Sequence, residues 1–307
     1  MFSLDIKSAI FAVIMLKDRL INWSILLLLS LTWGSSFILM KKGLRSFDPL
    51  QIASLRIFIS YIFLMPFAIR NLGMINRRNI ISLIIIGLVG NAFPAFLYPL
   101  AQKQIDSSVA GMLNALTPLF TLITGVIIYS RKARWKQVAG IMLGLTGAAG
   151  LLYRGSFSFE PIGLLIVLAT FFYGISSNQV TLIKGINGLT ITALAFFLVG
   201  PLAGVSLLLT DTEAAMQTQN WLLNLGFISI LSVFGSGIAV ALFNILIIRT
   251  SPVYATSVTY LAPVISTAWG FTDGENITLF MIISVICILA GVYLTIQRNN
   301  KAKKKQQ

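Results

Sequence analysis

The chain has 307 residues, of which 57% are hydrophobic and 10% are charged, and its formal net charge is +14. A soluble core could not bury this much apolar surface, and the apolar residues run together instead of alternating as they do in membrane β-strands. The composition therefore indicates a helical membrane protein. The single cysteine, Cys287, and the lack of histidine exclude an internal disulfide, and we expect no metal and no cofactor.

The predicted elements begin with a lead-in, residues 1–22. Its apolar part, Ser8–Leu16, is short and lacks a cleavage site, so it is interpreted either as an interfacial helix or as sequence before a true start at Met15. Apolar runs of about 20 residues follow, each long enough to cross a bilayer. A basic tail, residues 297–307, is expected to contact anionic lipid. The ten predicted spans are 23–43, 50–69, 79–101, 108–129, 135–153, 159–182, 190–209, 221–247, 253–271 and 276–296.

The charged residues predict the orientation of these spans. Lys and Arg are concentrated in the two terminal segments and the even-numbered connections, while most acidic residues lie in the odd-numbered connections. By the positive-inside rule, both termini face the cytoplasm. Topology therefore explains the positive charge without nucleic-acid binding. We expect a multi-pass protein of the plasma membrane, which is the inner membrane of a bacterium.

The two halves of the chain resemble each other. DSSVAGMLNALTP at 106–118 aligns with SPVYATSVTYLAP at 251–263, an offset of 145 residues. The alignment pairs Pro118 with Pro263, and both prolines are expected to kink their helices. Because five spans per half is an odd number, the halves insert with opposite orientations, an architecture typical of secondary transporters with a central binding site. The two predicted repeats are residues 23–153 and 159–296.

Polar residues at the span centres predict a shared cavity. Spans 1, 3, 4, 6, 8 and 9 carry them, whereas spans 2, 5, 7 and 10 have aliphatic or small centres and are expected outside the cavity. A polar group that faced hydrocarbon would cost a few kcal/mol. Taken singly, a hydroxyl could instead bond within its own helix, and an asparagine could bond between helices. The candidate cavity residues are Trp33, Ser36, Asn91, Tyr98, Asn114, Thr117, Tyr173, Asn178, Ser236, Phe243 and Tyr260.

Basic residues near the first two spans are candidates for other roles. Arg56 is the one charge well inside a span. It is expected either to have a structural role, snorkelling outward or capping carbonyls, or to contact the substrate or a gate. Lys41, with Lys42 and Arg45, lies at the outer end of span 1, where it either contacts lipid phosphate or forms a cationic mouth. No acidic residue lies at a span centre, so a buried proton relay is not expected.

These segments resemble the drug/metabolite transporter superfamily, specifically its EamA type. WGSSFILMKKGL resembles the family's first-span motif, with Lys41 as its lysine, and DPLQIASLRIFISY resembles the second span, with Arg56 as its arginine. The resemblance continues in the fourth and fifth spans with LTPLFTLITG and GIMLGLTGAAGLL, and the fourth-span pattern is repeated in the second half by YLAPVISTAWGFTDGENIT. The resemblance implies an all-α membrane protein of ten transmembrane helices, built as two inverted five-helix repeats around a central cavity.

One departure from the family pattern concerns Glu275. The family closes its fourth and ninth spans with a Gly-Glu pair. This chain has Gly274-Glu275 in its second half but Tyr129-Ser130 at the corresponding place in its first half. A gating or anchoring role for Glu275 is therefore not expected to repeat symmetrically.

The sequence predicts a transporter and not an enzyme, because it offers no nucleophile–base set and no metal constellation. The resemblance implies a secondary transporter that works by alternating access, an exporter of small organic metabolites such as amino acids. One alternative is an importer or exchanger of sugar, nucleotide-linked or other anionic solutes, held by Lys41, Lys42 and Arg56. A membrane receptor or scaffold is the non-transport alternative. The expected partners are a small-molecule solute and bilayer lipid, without nucleic acid, and the chain is expected to be a monomer or a homodimer.

Overall fold

The structure, a computed structural model, describes residues 2–131, 134–152 and 160–296, with side chains from residue 16 to residue 294 within those ranges. All regular elements in these ranges are helical. Met1 and the predicted basic tail, residues 297–307, lie outside the described residues. Short helical turns at Leu72–Met74 and Thr212–Met216 connect longer helices. The longer helices are α1 (Phe2–Gly43), α2 (Pro49–Arg70), α3 (Ile80–Gln102), α4 (Ser107–Ile127), α5 (Trp135–Leu152), α6 (Pro161–Val180), α7 (Gly188–Leu208), α8 (Trp221–Arg249), α9 (Pro252–Thr256, Ser257–Tyr260 and Ala262–Thr272) and α10 (Leu279–Ile296).

Within the described ranges, seven helices are long and apolar enough to cross a membrane: α1 from Leu16 onward, α2, α3, α4, α6, α7 and α8. The helix α5 begins with the polar run Trp-Lys-Gln, α9 is broken into short pieces, and the apolar part of α10, Leu279–Leu294, is shorter. The fold is therefore that of a multi-pass helical membrane protein, and the helices by themselves do not establish ten spans. In α1, the predicted lead-in continues without a break into the first span.

Local sequence signals set where the helices begin. Asp48 and Gln51 form a capping box at the start of α2, and Pro49 is its first residue, the position where proline loses no helical hydrogen bond. At α7, the side chain of Asn187 accepts a hydrogen bond from Thr190 N at 2.8 Å, which is a standard N-cap. The start of α2 places Arg56 about 10 Å along the helix axis.

Four helices change their winding near the middle, at corresponding places in the two halves. The segments Leu88–Ala92 of α3 and Leu231–Ile238 of α8 are π-helical. In α4 the helix is interrupted after Asn114 and resumes at Thr117, and in α9 a 3₁₀ segment, Ser257–Tyr260, precedes Ala262–Thr272. Each resumption falls one residue before a proline, Pro118 or Pro263, which has no N–H for the preceding turn.

Small residues let the outer helices pack closely. In α5 and α10, a Cβ added to Gly291 would lie 2.5 Å from the carbonyl oxygen of Gly140 and 2.6 Å from the backbone nitrogen of Gly144, so these backbones touch as in other glycine-mediated membrane interfaces. In α7, Gly200 packs against the ring of Tyr61 from α2. These contacts bring α5 against α10 and α7 against α2.

Candidate functional site

A cavity lies between the helices near their midpoints. The empty space among its side chains is about 880 Å³, including the part open to solvent. Its walls come from α1, α2, α3, α4, α6, α8 and α9, and the residues that line it are Trp33, Ser36, Phe37, Met40, Arg56, Ile57, Ile86, Gly90, Asn91, Tyr98, Asn114, Thr117, Tyr173, Ser176, Ser177, Gly235, Ser236, Val240, Phe243, Asn244, Thr256 and Thr259.

The cavity brings together most of the predicted residues but departs from the prediction in two respects. Asn178 and Tyr260 do not line it, and α2, which was expected outside, contributes Arg56 and Ile57. Arg56 lies before the centre of the predicted span 50–69 and Ile57 is apolar, so a polarity count over span centres misses the contribution of α2. The apolar lining, such as Phe37 and Ile86, gives no polarity signal at all.

Trp33 forms part of the wall between α1 and α8. Its indole Nε1 donates a hydrogen bond to the carbonyl oxygen of Gly235 at 2.9 Å, in the π-helical segment of α8. Its ring meets Phe243 edge-on, with centroids 5.0 Å apart and an interplanar angle of 65°, a favoured aromatic geometry. These two contacts, both with α8, fix the orientation of Trp33 in the cavity.

Tyr98 of α3 contacts residues of α1, α4 and α6. Its hydroxyl donates to Asn114 Oδ1 at 2.6 Å, at the interruption of α4, where Thr117 Oγ1 donates to the Asn114 carbonyl at 2.7 Å. The ring of Tyr98 stacks on that of Tyr173, with centroids 6.1 Å apart. It also contacts the ring of Phe37, with centroids 5.7 Å apart. The broken turn of α4 is therefore satisfied by side chains, as a break inside hydrocarbon requires.

Arg56 points into the cavity from α2. The residue is 9% exposed, and its Nε donates to Ser236 Oγ at 2.7 Å. The hydroxyls of Tyr98 and Tyr173 lie close enough to interact electrostatically with the guanidinium of Arg56. Within the described chain, no carboxylate pairs with it. Its side chain therefore does not snorkel to the membrane surface.

The three predicted asparagines have different surroundings. Asn178 ties α6 to α4, because its Nδ2 donates to Thr121 O at 2.8 Å and Thr124 Oγ1 at 3.1 Å. Asn91 lines the cavity while its Nδ2 donates to Ile86 O at 2.8 Å. Asn114 lies at the interruption of α4.

Tyr260 lies outside the cavity, and its buried hydroxyl has no hydrogen-bond partner among the described residues.

Of the two alternatives for the basic residues after span 1, a cationic mouth would be largely neutralised, because Lys41 and Lys42 pair with carboxylates after α9. Lys41 Nζ lies 2.7 Å from Glu275 Oε1 and 2.9 Å from Asp273 Oδ2. Lys42 pairs with Asp273, and Arg45 lies 3.8 Å from the same carboxylate. Partial burial alone raises the pKa of Asp273, but hydrogen bonds from Lys42 and Lys41 outweigh it and lower that pKa.

Glu275 joins three helices at this end of the molecule. Besides Lys41, its Oε1 accepts from Ser107 N at 2.9 Å and Ser107 Oγ at 2.6 Å, and its Oε2 accepts from Ser108 N at 2.9 Å. It thus caps the first turn of α4 with a negative charge, which the helix dipole favours. Gly274 has φ +83°, a left-handed conformation suited to glycine, and this turn brings Glu275 back to α4. Burial alone raises the pKa of Glu275, but the hydrogen bonds from Lys41, Ser107 and Ser108 hold it at about 2.

The corresponding turn in the first half lies one residue later than the sequence alignment indicates. Ser130 has φ +53°, like Gly274, and Arg131 N donates to Gly125 O at 2.9 Å just as Glu275 N donates to Gly270 O at 2.9 Å. The structural counterpart of Gly274-Glu275 is therefore Ser130-Arg131 and not Tyr129-Ser130. Arginine stands where the other half has glutamate.

Among the described residues, no group of three or more His, Cys, Asp or Glu side chains could hold a metal ion. Cys287 is a free, partly buried thiol of α10. The cavity lining offers one guanidinium, several amides and hydroxyls, and aromatic faces.

Comparison with known proteins bears on what such a cavity serves. YedA of Escherichia coli K12, described as an uncharacterized inner membrane transporter, is 28% identical over 282 residues, covering 87% of this chain and 90% of its own. A probable amino-acid metabolite efflux pump of Salmonella typhimurium LT2 is 24% identical over 292 residues, covering 88% and 93%. An uncharacterized transporter of Archaeoglobus fulgidus is 24% identical over 280 residues, covering 90% and 99%.

A comparison of folds and a match to a family model agree with the descriptions of these relatives as transporters. A solved crystal structure of a protein matches this fold with a TM-score of 0.64 at 19% identity, covering 95% of this chain and 99% of the other. The model of the EamA-like transporter family matches twice, at residues 20–153 and 161–297, so the two halves are copies of one domain. The chain belongs to the EamA-like transporter family and is a membrane transporter of the drug/metabolite type.

Proposed function

We propose that the protein is a secondary transporter that exports small organic metabolites, such as amino acids, across the bacterial inner membrane by alternating access. The observation that carries this proposal is the cavity near the helix midpoints, which both halves of the chain line with polar and aromatic side chains. A polar space at this depth would be costly in hydrocarbon unless a solute or water occupied it. A receptor or scaffold would not need it.

The proposed architecture is ten transmembrane helices in two inverted five-helix repeats, 23–153 and 159–296, with both termini in the cytoplasm. The twofold family match supports the repeats. The paired irregularities of α3 with α8 and of α4 with α9 support an equivalence of the halves. In this arrangement α5, α9 and α10 complete the bilayer crossings.

The Glu275 cluster, comprising Lys41, Asp273, Glu275, Ser107 and Ser108, is proposed to close the outer end of the cavity. It connects α1 and α4 from the first half to the turn after α9 in the second. Its parts must separate if these helices move apart, and alternating access requires such movement between repeats. The cluster thus stabilises one of the two conformations that the transport cycle needs.

The proposed substrates rest on the relative from Salmonella, whose name gives amino-acid metabolites, and on the uncharged character of most of the lining. An importer or exchanger of anionic solutes is the second candidate, favoured by Arg56 alone, since Lys41 and Lys42 are engaged by carboxylates.

Flux measurements in proteoliposomes test the proposal. Vesicles with purified protein are loaded with a mixture of labelled amino acids and other metabolites, and release is followed with and without a pH gradient. We expect saturable release of some compounds, and its loss on Trp33→Ala. Trp135→Ala is the matched control, because Trp135 is 75% exposed on α5 and does not line the cavity. Protein that releases nothing beyond empty vesicles, or equal flux in Trp33→Ala, would contradict the proposal.

A further inference from the structure

The cavity has an unbalanced charge. Arg56 is its one charged lining residue among the described residues, and no Asp or Glu lies on the cavity wall in the ranges that the structure describes. The polar groups that Arg56 contacts, Ser236 Oγ and the nearby Tyr173 hydroxyl, are neutral. A buried guanidinium without a counter-charge is costly, and intramembrane cations are normally paired or exposed to a water-filled path.

The position of Arg56 makes this charge available to an occupant of the cavity. Its Nε is held by Ser236, in the π-helical segment of α8, which fixes the plane of the guanidinium. The guanidinium is a planar fork that matches a carboxylate with two parallel hydrogen bonds. The hydroxyl of Tyr173 is a further donor close by.

The remaining lining defines the rest of the ligand. Trp33, Phe37, Tyr98 and Phe243 present aromatic surface to the same space, which suits an apolar body. No acidic side chain on the described wall is available to hold an ammonium group. The charge of the cavity therefore selects for the acid group of a solute and not for its amine.

We propose that Arg56 is the substrate-binding residue for a carboxylate, and that the transported solutes are small acids with one carboxylate and an apolar side group, whether or not they carry an amine. This inference rests on the proposed transport function and names the chemical class that it requires. One guanidinium balances a monoanion, so a phosphate dianion would leave the cavity with excess negative charge.

The test uses compounds that differ only in their charged groups. 3-Phenylpropanoate and L-phenylalanine carry the carboxylate, L-phenylalaninamide and phenethylamine lack it, and 2-phenylethyl phosphate carries a phosphate in its place. Each is measured for binding, as a shift in the melting temperature of the full-length protein in detergent, and for competition with flux in proteoliposomes. We expect the two carboxylates to bind at least tenfold more tightly than the amide and the amine, because charge-assisted hydrogen bonds to a buried group are lost without the carboxylate. The phosphate is also expected to bind at least tenfold more weakly, because its second negative charge has no cationic partner on the described cavity wall.

Variants of Arg56 supply the second arm. Arg56→Gln is expected to bind both carboxylates about ten- to a hundredfold more weakly and to lose the preference over the amide. Arg56→Lys keeps the charge without the fork and should be intermediate. Arg70→Gln is the control, since Arg70 is exposed at the end of the same helix, and it should bind like the unmodified protein.

The outcomes separate this inference from transport itself. Flux that is unaffected by removal of the carboxylate, or a preference that survives in Arg56→Gln, overturns the carboxylate site while leaving the transporter intact. Protein that binds and moves none of the probes overturns the carboxylate site, whereas transport itself is overturned only if the metabolite mixture described above is not released either. If Arg56→Gln does not fold, the comparison of compounds on the unmodified protein still decides the matter.

Discussion

Glu275 offers the sharpest test of how the helices are held together at the proposed outer end. Replacing it with glutamine keeps the shape of the side chain but removes its charge. The carboxylate accepts from Lys41 Nζ at 2.7 Å, from Ser107 N and Oγ at 2.9 and 2.6 Å, and from Ser108 N at 2.9 Å. An amide has one carbonyl oxygen and no charge, so with that oxygen in the place of Oε1 the N–H of Ser108 loses its acceptor, and Lys41 and the start of α4 lose a negatively charged partner.

The expected loss of stability follows from the pKa of the group. A carboxyl pKa of about 2 in place of 4.5 corresponds to about 3 kcal/mol in favour of the charged, folded form. The residue is 8% exposed, so solvent screening is weak. For a chain of this size, about 3 kcal/mol lowers the melting temperature by roughly 5 to 10 °C.

The assay is thermal unfolding in one detergent at one scan rate, from pH 6 to pH 3. Because the folded pKa of Glu275 is lowered, its stabilising contribution is fully present above pH 4.5 and is lost as the pH falls towards 2. About 2 kcal/mol of it should be gone at pH 3. Glu275→Gln should therefore be less stable at pH 6 and should lose less on acidification, with Asp273 responsible for part of the remaining loss.

Lys103→Gln is the matched control. Lys103 pairs with Asp48 at 2.8 Å, but their side chains are 48% and 71% exposed, and such surface pairs contribute about 0–1 kcal/mol. A Glu275→Gln protein that melts within a degree of the Lys103→Gln protein at pH 6 would refute the reasoning. So would an unchanged dependence on pH.

Four further substitutions test packing and the cavity. Gly174→Ala should destabilise the protein by about 2 kcal/mol or more, because the added Cβ would lie 2.7 Å from the backbone carbonyl of Phe120. Gly226→Ala is its control: a Cβ there meets nothing within 4 Å, so this variant should be neutral or slightly stabilising in melting experiments. Trp33→Phe loses the hydrogen bond to Gly235 and should raise the KM for flux about two- to tenfold. Tyr98→Phe removes the donor to Asn114 and should lower stability by about 1–2 kcal/mol, as measured by unfolding.

The polar lining of the cavity could be predicted from the sequence because hydrocarbon penalises unsatisfied polar groups. That rule alone placed Trp33, Tyr98 and Ser236 at a common depth, and the structure brings them to one cavity. The same rule cannot tell a cavity from a hydrogen bond between neighbouring helices. Asn178 is the example, since α4 satisfies it.

Other features depend on contacts between distant parts of the chain. Lys41 and Glu275 are 234 positions apart, and nothing near either residue indicates the pairing. The apolar face that α1 turns to the cavity at Phe37 and Met40 looks, in sequence, like a face turned to lipid. The alignment of Ser130 with Gly274 requires a shift of one residue, which shows only in backbone angles and hydrogen bonds.

The π-helical segments of α3 and α8 give the cavity a dependence on helix phase. Each wide turn accommodates a residue that a regular α-helix would not, so the segment beyond it is rotated relative to the segment before it. Regular α-helical winding of the same residues, Leu88–Ala92, would turn Phe93–Gln102 by about 100°, carrying Tyr98 away from Asn114. Removing one residue together with the wide turn would instead return Phe93–Gln102 nearly to its present orientation. The identity of the residues that face the solute is therefore encoded in the spacing along α3 and α8 as much as in the residues themselves.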